Sequence, residues 1–200
     1  MNNIERFEKV ISFIKRDGLD DLILWLKNET DFFTAPASTK FHSNFDGGLV
    51  EHSLNVCEYA LHLFNYTIQR KPEYEYMRES IILCAIFHDV CKVNTYVKEE
   101  KYFKDKNNKW QTYLGYNVDD KFPMTHGAKS VYLLNQFIKL KNEEALAIEH
   151  HMGMSCVAFQ SLNRYAYEKA VEHPLVKIIQ SADMVAGCVE ETIDYRNLNT

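Results

Sequence analysis

The sequence predicts an all-helical domain interrupted by one small β-hairpin insertion at about residues 96–116. Three observations carry that expectation. Seven glycines and four prolines in 200 residues are too few for a many-turned sandwich or barrel. Apolar residues recur mostly at the helical spacing i, i+3, i+4, i+7. Only between Thr95 and Lys121 does the pattern change to aromatic and polar alternation. With 46% apolar and 26% charged residues, the length suits one globular unit over 1–200, with N-terminal helices in 1–30 packing on a core at 34–190.

The first helix follows from Ile4, Phe7, Val10, Ile11 and Ile14, and Asp17-Gly18 ends it with a glycine stop signal. A short second helix has Leu19, Leu22, Ile23 and Leu26 as its apolar face. Residues 31–38 and Asp46-Gly47-Gly48 read as loop. A third helix starts near Leu49, and its inward stripe is His52, Val56, Tyr59 and Leu63, which puts His52 on the buried face. Arg78 to about Val93 is apolar nearly all round and therefore central; His88-Asp89 stands near its end. The hairpin follows, with strand-forming flanks around Asn107-Asn108, a pair that tolerates positive φ. Thr125 then caps a helix running to about Leu140, which places His126 in its first turn, and Asn142 caps the next, ending at His150-His151. Two more helices complete the chain, Gln160 to Glu172 and, with Pro174 in its first turn, Leu175 to about Tyr195. On the last, the stripe Leu175, Ile178, Ile179, Ala182, Ala186 and Val189 carries Asp183 on its core side.

The formal charge of −5 argues against a broad electrostatic grip on duplex DNA. The early charges Glu5 and Arg6 and the absence of a long apolar run predict a cytoplasmic protein with no membrane association. Five cysteines with no C-x-x-C pair read as reduced thiols. Cys84 and Cys91 are read as small core residues rather than as neighbours of a metal.

Histidine is the unusual entry. One buried His or Asp is usually a hydrogen-bonded core residue, but the inward ends of five predicted helices offer His52, His88-Asp89, His126, His150-His151 and Asp183. Burying so many ionisable groups together is costly without a cation, and two divalent ions would satisfy both the carboxylates and the imidazoles. Adjacent His88 and Asp89 diverge by about 100° on a helix, so the Asp can bridge two ions.

The series His52, His88-Asp89, Asp183, with Val90-Cys91-Lys92 after the doublet, resembles the HD superfamily of metal-dependent phosphohydrolases, whose signature is H…HD…D on an all-helical core. His126 and His150 extend it to the pattern of the two-metal branch. The runs Ala35-Pro36-Ala37, Gly47 to Val56, Phe87 to Lys92, Thr125-His126-Gly127 and Glu149 to Gly153 are similar to the HD domain of bacterial 3′-to-5′ exoribonucleases, over Thr34 to Val189. The resemblance implies that His52, His88, Asp89 and Asp183 hold one ion and that Asp89, His126 and His150 hold a second. The ions would be divalent: Mn, Fe, Co, Zn, Ni or Mg. It makes Asp89 and Lys92 the catalytic pair, with Lys92 contacting the phosphate. His151 is a ligand or a substrate contact, or caps a helix end. His42 is a weaker candidate for substrate contact, and His62 and His173 are bystanders.

The implied chemistry is phosphoester hydrolysis by a water activated between two ions, on a nucleotide or a short single-stranded oligonucleotide. Tyr102, Trp110, Tyr113 and Tyr116 of the hairpin are either base-stacking residues or cross-strand packing. The alternatives are a diiron oxygenase on the same scaffold and a regulatory module that binds nucleotides without turnover. Lys92 favours the hydrolase.

Overall fold

The computed structural model describes residues 1–156 and 162–190. Helix α1 spans Asn3–Ile11 and opens with a reciprocal cap: the Glu5 amide donates to Asn2 Oδ1 and the Asn2 amide to the Glu5 carboxylate. It ends earlier than the periodicity suggests. Ile14 is nevertheless buried, reached by a turn after the helix, while Ile4 faces solvent. Helix α2 (Leu19–Asn28) starts from Gly18 at φ +82°, where a side chain would also collide with the Phe137 carbonyl.

Helix α3 (Gly48–Arg70) and helix α4 (Arg78–Phe87) pack side by side, with α8 (Pro174–Val185) against both. Every residue from Ser80 to Phe87 is buried, as a helix without a polar face requires. Val56 and Tyr59 of α3 turn inward as expected, but Leu63 is exposed: the buried stripe drifts round to Ala60 and Phe64. Past His88 and Asp89 the chain tightens into a 3₁₀ turn, Val90–Lys92.

Strands β1 (Tyr96–Lys104) and β2 (Trp110–Val118) form the expected antiparallel hairpin, with Tyr96 paired to Val118 and Lys104 to Trp110. Asn108 takes φ +60° at its turn. Solvent covers both faces over most of its length. Its base is tied down where the Tyr116 hydroxyl and Lys98 Nζ each donate to Asp46, both at 2.6 Å.

Helix α5 (His126–Leu134) has Thr125 at its N-cap position and stops six residues short of Leu140, although Ile138 is still buried. Helix α6 (Asn142–Glu149) is capped one residue earlier than expected. Lys141 is its N-cap and Asn142 its first helical residue, because Glu144 accepts the Lys141 amide at 2.8 Å. Helix α7 (Leu162–Ala170) lies in the stretch expected to be helical. Helix α8 begins at Pro174 as predicted and passes into a π-helical turn, Ala186–Glu190; the predicted continuation to Tyr195 lies outside the described residues. The described structure is thus mostly helical with one two-stranded sheet. Phe7 and Leu22 from the N-terminal helices share one apolar cluster with Phe64, Phe87 and Ile179.

Candidate metal centre

The ends of four helices converge on one buried carboxylate. Helix α3 contributes His52 from its second turn, and α4 ends so that His88 and Asp89 fall beside it. Helix α8 brings Asp183 from its last turn, and α5 begins at His126. The 3₁₀ turn after α4 is pinned against α5 because the Cys91 amide donates to Ser130 Oγ at 3.1 Å.

Asp89 divides these groups between its two oxygens. Oδ2 faces His88 Nε2 at 3.5 Å, His52 Nε2 at 3.6 Å and Lys92 Nζ at 2.6 Å. Oδ1 faces His126 Nε2 at 2.5 Å and His151 Nε2 at 3.4 Å. Asp183 Oδ1 lies 3.1 Å from His52 Nε2 and 3.7 Å from His88 Nε2. Three sets of donor atoms are close enough to hold a metal ion: His52, His88 and Asp183; His88, Asp89 and His151; and Asp89, Cys91 and His126.

The imidazole tautomers show whether such an ion fits. His88 Nδ1 donates to the Ala85 carbonyl at 2.8 Å and His151 Nδ1 to the Ile148 carbonyl at 2.7 Å. A carbonyl can only accept, so in its neutral form each ring presents a lone pair at Nε2. That of His88 points at His52 Nε2, 3.3 Å away. That of His151 is buried without a hydrogen-bond partner. Imidazole Nε2 atoms, one of them buried without a hydrogen-bond partner, crowded beside two carboxylates call for a cation, and nitrogen and oxygen donors with backbone-anchored imidazoles suit a divalent transition metal.

Electrostatics agree with this reading. Burial alone would raise the Asp89 carboxyl, but Lys92, His88 and His126 beside it hold it well below the usual carboxylate range. Asp183 is likewise held down by His52 and its neighbours against the effect of burial. Lys92, though buried, is pushed above the ordinary lysine value by Asp89. His126, which burial would lower, is raised to about 9 by the Asp89 carboxylate.

The structure brings His52, His88, Asp89, Lys92, His126 and Asp183 together, and it places His151 among them rather than His150. His150, expected among the ligands, is not brought into this cluster. Helix α6 ends at Glu149, and His150 leaves helical geometry at φ −110°, its ring packing on Tyr167 at 5.8 Å. Glu144, Ile148 and His151 follow steps of four and three along the buried side. That spacing is visible in the sequence. Cys91 is closer to the site than a core role implies, with Sγ 3.2 Å from His126 Nδ1. His42 stacks on His52 at 4.6 Å between ring centroids, whereas His62 and His173 are exposed. Of the hairpin aromatics, Tyr116 is buried and its hydroxyl engaged by Asp46, so it offers no stacking face. Tyr113 packs on Phe103, and Tyr102 and Trp110 remain exposed. A cleft of about 280 Å³ opens onto the cluster at Asp89, Lys92, His151 and Asp183.

Comparison with known proteins gives two matches. The family model described as HD domain matches residues 49–187. Over 98 residues the chain is 35% identical to a dihydroneopterin 2′,3′-cyclic phosphate phosphodiesterase of Methanocaldococcus jannaschii, a stretch covering 46% of this chain and 36% of that relative. The match therefore spans about a third of the relative's length. No solved structure matches the chain.

Proposed function

The chain belongs to the HD domain family, and on that premise we propose that it is a metal-dependent phosphohydrolase that cleaves a phosphoester, mono- or diester, of a nucleotide-type substrate. The observation that carries this reading is the Asp89 carboxylate, buried among imidazoles on both its oxygens and paired at 2.6 Å with the Lys92 ammonium. His52, His88 and Asp183 would hold one divalent ion on the Oδ2 side of Asp89, and His126 and His151 a second on the Oδ1 side. Bound there, two divalent ions would acidify a water and take up charge on the reacting phosphate oxygens.

The chain's own residues do the rest. Asp89 spans both groups, so its position fixes one relative to the other. The backbone carbonyls of Ala85 and Ile148 hold the His88 and His151 rings in the tautomer that presents Nε2. Lys92 stays cationic and presents a point charge toward a phosphoryl oxygen entering the cleft. That charge favours the phosphate reading over oxygen activation. The name of the relative adds 2′,3′-cyclic phosphates to the candidate substrates, beside nucleoside monophosphates and the short single-stranded RNA that the exoribonuclease-like motifs suggest.

Protein loaded in turn with Mn, Co, Fe, Zn, Ni or Mg is expected to hydrolyse one of these three classes. Asp89→Asn should lose bound metal and more than about 100-fold in turnover, beyond the effect usual for an outer partner of a metal ligand. His151→Ala should lose metal where His150→Ala retains it. No hydrolysis of any class with any of these metals would refute the proposal, and so would an active, metal-replete Asp89→Asn.

A further inference from the structure

The cleft at the metal centre has a second lining that phosphate chemistry does not use. Met152, Met154 and Met184 open onto it, 41%, 41% and 56% exposed. Two of them directly follow residues of the centre, Met152 after His151 and Met184 after Asp183. Each pair is therefore held by one stretch of backbone. Gln180, one helical turn before Met184, also lines the cleft. Its carboxamide is oriented by the Tyr167 hydroxyl, which donates to Oε1 at 3.1 Å, leaving the NH₂ as the amide's donor. Gly153, at φ +62°, lets the backbone pass so close that a Cβ there would sit 2.3 Å from Gln180 Nε2.

Three thioethers contribute nothing to binding an anion. They are apolar and polarizable, they adapt to a flat surface, and sulfur makes favourable contacts with aromatic rings. Outside the charged centre, His42, Gln180 and Cys188 are the polar lining beside the three methionines, so the wall is mixed, with the thioethers as its largest apolar share. We infer that Met152, Met154 and Met184 form a subsite for a planar heteroaromatic ring carried by the phosphoester, with the Gln180 amide bonding its edge. This deepens the proposed phosphohydrolase reading and rests on it for the placement of the phosphate.

The test compares two esters of the same chemistry on metal-loaded protein: 2′,3′-cyclic AMP, which carries a ring, and glycerol 1,2-cyclic phosphate, which does not. Met184→Ser and the double variant Met152→Ser/Met154→Ser should raise KM for the ring-bearing ester about tenfold more than for the ringless one, the low end of apolar-pocket discrimination. Met184→Leu should recover part of the loss. Binding of adenosine and of neopterin, followed by calorimetry without turnover, should weaken in the same variants and shows which ring family the wall accepts. Equal KM values for the two esters in the wild type, or equal shifts in the variants, would overturn the subsite. If neither these esters nor the monophosphate and RNA substrates are turned over with any of the metals, but ring binding is weakened by the methionine variants, the hydrolase reading fails and the subsite stands. Failure of both rings to bind, with hydrolysis intact, does the reverse.

Discussion

Asp89 and His126 illustrate how one pair of side chains can govern both metal binding and stability. Burial works against each charge, yet the two hold one another ionised, with His126 raised to about 9. On the proposed ligand set a metal ion at His126 would displace its proton, so binding should release protons and tighten as pH rises toward about 9. Calorimetry at neutral pH in buffers of different ionisation enthalpy should detect that release, and a buffer-independent enthalpy would contradict it. In the metal-free protein the sign reverses. A raised histidine stabilises the fold fully below its unfolded value of 6.5 and loses that contribution as pH rises through about 9. His151 shows how one residue decides which ring faces the buried carboxylate. The sequence offers adjacent histidines; the spacing from Glu144 and Ile148 favours His151, and the end of helix α6 at Glu149 leaves that ring facing Asp89.

At the scale of elements, the site depends on how closely α5 and α6 approach. Gly127, directly after His126, lies against the backbone of Glu149: a Cβ there would meet the Glu149 carbonyl oxygen at 2.2 Å. Backbone cannot yield as a flexible side chain can. Gly127→Ala should therefore cost about 1–3 kcal/mol of stability, the usual range for overpacking. By moving His126 it should also weaken metal binding on the Oδ1 side of Asp89 while sparing the His52, His88 and Asp183 group. Metal titration, read as two ions falling to one, checks this; unchanged stoichiometry and stability would show that the helices separate freely. The hairpin was legible from alternation and the Asn107-Asn108 turn, because strand period and turn chemistry are local properties. The engagement of Tyr116 was not legible, since its partner Asp46 lies 70 residues away.

For the molecule as a whole, the N-terminal helices are joined to the core by charge as well as by apolar packing. Arg16 donates to the buried Glu144 of α6 and, at 2.9 Å, to Glu79 of α4. Ser80 Oγ adds a 2.6 Å hydrogen bond to Glu144. We propose on this basis that the chain unfolds as one unit. Arg16→Met should lower its stability by about 3–5 kcal/mol, because the buried Glu144 loses its close cationic partner and keeps only Lys141 Nζ at 3.9 Å. Urea denaturation followed by both fluorescence and circular dichroism is expected to give one coincident transition. Two separated transitions would mean that residues 1–30 fold apart from the rest. Among the described residues no helix is long and apolar enough to cross a membrane. The overall charge of −5 also overstates what a phosphate would meet in the cleft, where Lys92 and any bound cations offset Asp89 and Asp183.

The sequence by itself determined the helical class, the hairpin, and the residue types from which a metal centre can be built. Periodicity, turn residues and the spacing of His52, His88-Asp89 and Asp183 are all written along the chain. Tertiary structure decided the rest: Cys91 beside His126, Tyr116 bound to Asp46, and a methionine wall beside the charged groups. Each of these depends on where a helix stops or how closely two backbones approach. Those outcomes are set by packing among residues far apart in sequence, which local propensity does not encode.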